Sequence, residues 1–108
     1  MRLVDLEPRF LKILDSGCYR MVDALEEADG LDFLCPLCFT TNSGRVGTHH
    51  VICWRPHVPQ TTNPIPGRWE FKGTGYGDLT LVAGSSSILL MSGCRWHGYI
   101  TNGEVLTC

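Results

Sequence analysis

Apolar residues at the start of the chain recur at three- and four-residue steps: Leu3, Leu6, Phe10 and Ile13. Such steps mark one face of an α-helix. Asp5 suits its N-cap, and Pro8 is tolerable in a first turn. After Asp15 and Ser16 a second stripe follows, Met21, Val22, Leu25 and Ala28, with Arg20, Asp23, Glu26 and Glu27 on the other side and Gly30 as the stop. The pattern predicts two helices within residues 1–30, each laying its stripe on a sheet.

Beyond Gly30 the apolar runs shorten, and most of the twelve glycines and six prolines lie there. Residues 46–54, 68–72, 78–83, 87–91, 98–101 and 104–107 read as strands. Asn102-Gly103 joins the last two as a strong hairpin signal. Residues 55–67, "RPHVPQTTNPIPG", are too proline-rich for a central strand and too long for a passive connector. The expected fold is α+β: two N-terminal helices packed on a small, mainly antiparallel sheet with zinc-ribbon-like knuckles. One domain spans 1–108, a helical segment 1–30 followed by a zinc-binding, β-rich segment 31–108.

The totals narrow the function. A chain of 108 residues fits one small domain, in which a staple such as a metal is useful. The net charge of −2 and the absence of any basic run argue against general capture of nucleic acid. No apolar run approaches the roughly 18 residues that span a bilayer. The start "MRLVDLEPRFLKILDS" does not read as a secretory signal, since Asp5, Glu7 and Pro8 interrupt it. A cytoplasmic protein is expected, whose six cysteines are mostly reduced and read as metal ligands before disulfides.

Two pairs carry the chemistry. Cys35-Pro36-Leu37-Cys38 is a C-x2-C, and Cys94-Arg95-Trp96-His97 is a C-x2-H between Gly93 and Gly98. Zinc takes four tetrahedral ligands, with thiolate and imidazole preferred. A tight turn at each pair, brought together, makes a Cys3His shell of Cys35, Cys38, Cys94 and His97. The bland alternative makes Cys94 a small buried hydrophobe and His97 a core histidine. A closed shell of four is structural, and iron competes for such thiolate-rich sites. His49 and Cys53 fall on one side of a predicted strand, as additional or alternative ligands. The tryptophans are expected first to fill the core. The alternative is that Trp96, between two ligands, is pushed outward and contacts a partner together with Arg55 and His57 of the Pro-rich loop. "GSSSI" (84–88) lacks the second glycine of a nucleophile elbow, "GTGYGD" (73–78) lacks the Lys-Ser/Thr of a phosphate loop, and no deaminase H-x-E or C-x-E occurs.

From Tyr19 to Val105, "YRMVDALEEADGLDFLCPLCF", "GTHHVICWRPHVP", "PGRWEFKGTGYGDLTL" and "SGCRWHGYITNGEV" resemble, in order, a small family of proteins from tailed bacteriophages and prophages of proteobacteria. The family pattern matches Cys35, Cys38, Cys94 and His97, and also His49 and Cys53. The resemblance implies a phage setting, hence the cytoplasm of a bacterial host, and no particular activity. The leading expectation is a zinc-stabilised phage accessory protein that acts by binding a host or phage protein, inhibition of a host defence complex being one version. A virion or assembly component is the second expectation. A zinc hydrolase using His97, His49 and Cys53 around an open metal is the third.

Overall fold

The computed structural model describes residues 1–84 and 86–108. Ser85, within the 84–88 stretch considered above, lies outside the described residues. The two expected N-terminal helices are not formed. Residues 1–30 instead hold a 3-10 turn at Leu3–Leu6, strand β1 (Arg9–Ile13), strand β2 (Tyr19–Val22) and a 3-10 turn at Leu25–Glu27. After them come β3 (Gly30–Leu34), the short helix α1 (Pro36–Asn42), β4 (His50–Trp54), β5 (Glu70–Lys72), β6 (Thr80–Val82), β7 (Ile88–Leu89), β8 (His97–Thr101) and β9 (Glu104–Thr107). The architecture is mainly β, in three antiparallel sheets ordered β2-β1-β3-β4, β5-β6 and β7-β8-β9.

The apparent helical period has three separate sources. Leu3 and Leu6 are both fully buried because residues three apart eclipse in a 3-10 turn. Glu7 then takes a left-handed conformation (φ 50°). Pro8 follows it, disfavouring the α region for the residue before it, and the chain leaves extended as β1. Asp15-Ser16-Gly17 is the tip of the β1–β2 hairpin. The Gly17 N–H donates to the Leu14 carbonyl at 2.9 Å, and Gly17 sits at φ 84°, as a three-residue hairpin loop requires. Gly30 begins β3 opposite Trp54, where any Cβ would collide with the indole. Because β3 pairs with β1, no boundary separates residues 1–30 from the rest.

All five residues of β3 are buried, as befits an inner strand. Leu31 and Phe33, with Phe10, Val51 and Cys53 beside them, join the main core with Phe71, Leu81, Trp96, Ile100 and Val105 from the other two sheets. On the opposite face Leu11, Trp54 and Val58 form a smaller cluster. Asp32, alternating with Leu31 and Phe33, also turns away from the main core. Its buried carboxylate accepts from the Arg9 guanidinium and from His50 Nδ1, the latter at 2.7 Å. The Asn102-Gly103 hairpin forms in the expected register, Thr101 opposite Glu104.

The Pro-rich loop is tied down from inside. The Arg68 guanidinium donates to the carbonyls of Val58 (2.9 Å), Pro59 (2.6 Å), Thr62 (2.9 Å), Pro64 (2.8 Å) and Gly67 (2.8 Å). Trp54 Nε1 adds a bond to the Asn63 carbonyl at 2.8 Å. Among the described residues no helix is long and apolar enough to cross a membrane.

Candidate metal centre

Strand pairing brings the first two groups together. Cys35 leaves the end of β3, and its N–H donates to the His49 carbonyl at 2.9 Å, extending the β3–β4 ladder one pair beyond Leu34 and His50. Pro36 at the first helical position then starts α1, its fixed φ suited to that place. The turn carries Cys38 back over Cys35, since positions three apart on a helix share a face. Cys94 arrives from another sheet, on the connection from β7 to β8. That connection reverses through left-handed residues on either side, Gly93 (φ 67°) and Arg95 (φ 55°).

The result is a cluster of Cys35, Cys38, His49 and Cys94, whose ligand atoms all lie within 4.8 Å of one another. Cys35 Sγ is 3.6 Å from Cys94 Sγ, and His49 Nε2 is 3.2 Å from Cys94 Sγ. A tetrahedral zinc with its usual bond lengths sets S···S edges of about 3.8 Å and N···S edges of about 3.6 Å. The donor set therefore fits a tetrahedral ion with adjustments of a few tenths of an ångström along those two edges. His49 Nδ1 lies 3.2 Å from the His50 carbonyl, an acceptor that suits the tautomer with the Nε2 lone pair free for a cation; without one, an Nε2–H can donate to Cys94 instead.

The electrostatics favour a cation. Burial pushes the Cys35 thiol up to about 12, helped by its bond to Cys94. Burial and the neighbouring Cys94 also raise Cys38. Cys94 feels the same burial, but His49, the Trp96 N–H and the other two thiols outweigh it and lower it to about 7. Without a cation, one thiolate is stabilised at the expense of its neighbours. A divalent ion removes that conflict by stabilising all three as thiolates.

His97 is not in the cluster, although spacing nominated it. It is the first residue of β8, opposite Leu89, and its carbonyl accepts from the Cys108 N–H at 2.9 Å. The chain is already extended there, so the tight turn that a C-x2-H knuckle needs ends at Arg95. His49, nominated as an alternative, takes the place instead. Cys53 lies wholly inside the main core, where burial raises its thiol far above the ordinary value.

The expected partner contacts are also placed differently. Trp96 is 1% exposed. Its ring meets Phe33 edge to face at 6.1 Å, and its Nε1 donates to Thr107 Oγ1 at 3.0 Å. It turns inward because alternation along the approach to β8 puts Trp96, Gly98 and Ile100 on different footing from His97 and Tyr99, and Gly98 leaves room for the indole. Arg55 is used internally: it donates to the carbonyls of Leu25 (3.1 Å) and Ala28 (3.0 Å) and lies 5.1 Å from the Phe71 ring centroid. His57 is exposed, with Nε2 2.8 Å from Asp29 Oδ1. Two groups that sequence reasoning passed over hold the surroundings in place: Asp32, which anchors Arg9 and His50, and Arg68, which anchors the loop. Neither lies in a recognisable spacing, and only strand register and loop path reveal them.

Comparison with protein-family models, with curated proteins and with solved structures finds no match.

Proposed function

We propose that Cys35, Cys38, His49 and Cys94 bind a structural zinc ion, and that the chain is a zinc-stabilised protein that acts by binding another protein. The observation that carries this reading is the convergence of four protein ligand atoms within 4.8 Å. Four protein ligands complete a tetrahedral shell and leave no position for an activated water. The ion ties the β3–β4 end of one sheet to the β7–β8 connection of another, which suits a staple. A hydrolase built on His97, His49 and Cys53 finds no support, because these three are not assembled. The sequence resemblance supports a phage setting, in which this is an accessory protein with a host or phage protein as target.

Cobalt substitution tests the closed shell. The expected spectrum has thiolate-to-cobalt charge transfer and tetrahedral d–d bands that azide leaves unchanged. Bands that shift with azide would show an open coordination position and overturn the closed structural shell.

A further inference from the structure

β4 is an outer strand of its sheet. Bonded and non-bonded pairs alternate along an antiparallel ladder. Cys35 bonds to His49 and Arg55 bonds to Asp29, so the bonded pairs between them are Phe33–Val51 and Leu31–Cys53. His50, Ile52 and Trp54 therefore turn their N–H and C=O groups outward. The Trp54 carbonyl is taken by the Trp69 N–H at 3.0 Å, and the His50 carbonyl faces the His49 ring. The N–H and C=O of Ile52 have no partner among the described residues. The Pro-rich loop closes onto this edge only at its end, where Arg68 forms an isolated parallel bridge with Trp54, and it leaves Ile52 unpaired. Pro64 and Pro66 have no N–H, and the five bonds from Arg68 hold the loop where it is.

β7 flanks the same space. The Leu90 N–H bonds to the Trp96 carbonyl, so by the same alternation Leu89 turns its backbone groups away from β8. Between the β4 edge, the loop and β7 runs a groove of two adjoining cavities, of ≈ 380 Å³ and ≈ 600 Å³, sharing Pro64, Ile65, Leu89, Leu90 and Met91. Its described lining contains no Asp, Glu, Lys or Arg, although such residues make up 19% of the chain. Ile65, Leu89 and Met91 stand 52%, 54% and 77% exposed. Trp69 also lines it, and its Nε1 is buried without a hydrogen-bond partner among the described residues. The metal ligand His49 and Gly93, next to Cys94, close one end.

We propose that this groove takes an extended, uncharged, apolar segment of another protein, added as a strand to the edge of β4. The inference rests on the binding-protein reading above and names the chemistry of the partner. An extended segment supplies the backbone donor and acceptor that Ile52 lacks, and its alternate side chains enter the apolar lining. A helix spends its backbone groups on itself and offers neither. A segment with charged residues at the inward positions would lose hydration with no opposite charge to meet it.

The probe is the blocked octapeptide acetyl-(Thr-Val)4-amide, titrated into the full, zinc-loaded chain and followed by amide NMR. The expected result is a shift of the Ile52 and Leu89 amides and an Ile52 hydrogen exchange slowed about tenfold or more. N-methylation of alternate peptide residues on the bonding edge weakens binding about tenfold, and Leu89→Lys does so without changing the fold. Any of three results overturns the inference: no binding at millimolar peptide, equal binding of the N-methylated peptide, or shifts confined to another face. Zinc content is measured on the same sample. A folded, zinc-loaded chain that ignores the peptide defeats strand addition alone. A folded, metal-free chain that binds it defeats the zinc reading alone.

Discussion

Replacing His49 and His97 separately by alanine distinguishes the observed cluster of Cys35, Cys38, His49 and Cys94 from the one that spacing suggests. Structural zinc contributes about 10–16 kcal/mol of apparent binding free energy, so one ligand of four accounts for about 3 kcal/mol, partly recovered when water takes its place. His49→Ala is therefore expected to weaken zinc binding about a hundredfold. The backbone bond from Cys35 N–H to the residue-49 carbonyl survives the change, so the β3–β4 ladder persists. His97 lies half-buried on β8, with its carbonyl bonded to Cys108, and supplies no atom to the cluster. His97→Ala should alter zinc affinity less than threefold and stability by about 1 kcal/mol or less. Competition with a chromophoric chelator gives both affinities, and circular dichroism checks the folds. The reasoning is refuted if His97→Ala loses zinc while His49→Ala keeps it.

Trp96→Ala should cost about 3–5 kcal/mol in urea unfolding, since it empties a fully enclosed indole site; a change of less than 1 kcal/mol would contradict its place in the core. Arg68→Lys should cost about 2 kcal/mol and speed amide exchange across residues 58–67, because an ammonium cannot reach five carbonyls. The dependence of stability on pH should become steeper below pH 9 with metal. In the chelated protein Cys35 and Cys38 are raised from the ordinary 9.0, so the folded state holds more protons above pH 9 and stability falls there, while the lowered Cys94 contributes the opposite slope only between about 7 and 9. In the zinc-loaded protein the thiolates are already deprotonated, the unfolded state binds more protons, and stability rises from pH 6 to 9. Urea titrations should show a steep rise from pH 6 to 9 with zinc, a shallower rise confined to about 7 to 9 with chelator, and a fall above pH 9 in the chelated protein.

The sequence exposed the thiols more clearly than the fold that gathers them. Cys35, Cys38 and Cys94 stood out because a pair of metal ligands needs close spacing. His97 stood out for the same reason and misled, since a C-x2-H spacing does not say whether the intervening backbone turns or runs extended. His49 joins the cluster through its ladder position opposite Cys35, and that pairing joins residues with a helix between them. The later strands were legible because alternation and the Asn102-Gly103 turn are local signals. The first thirty residues were not. A 3-10 turn followed by a hairpin placed apolar residues at helical intervals, and Gly30 serves packing against Trp54 where it looked like a helix stop. Trp96 turns inward on the alternation that carries on into β8, with Gly98 leaving room for its ring, whereas its place between two expected ligands suggested the outward turn.

The most direct test of the account is elemental analysis and X-ray absorption on protein purified without chelator. The account predicts one zinc per chain, with three sulfurs near 2.3 Å and one nitrogen near 2.0 Å. A folded chain without metal, or a shell with fewer than three sulfurs, would contradict it.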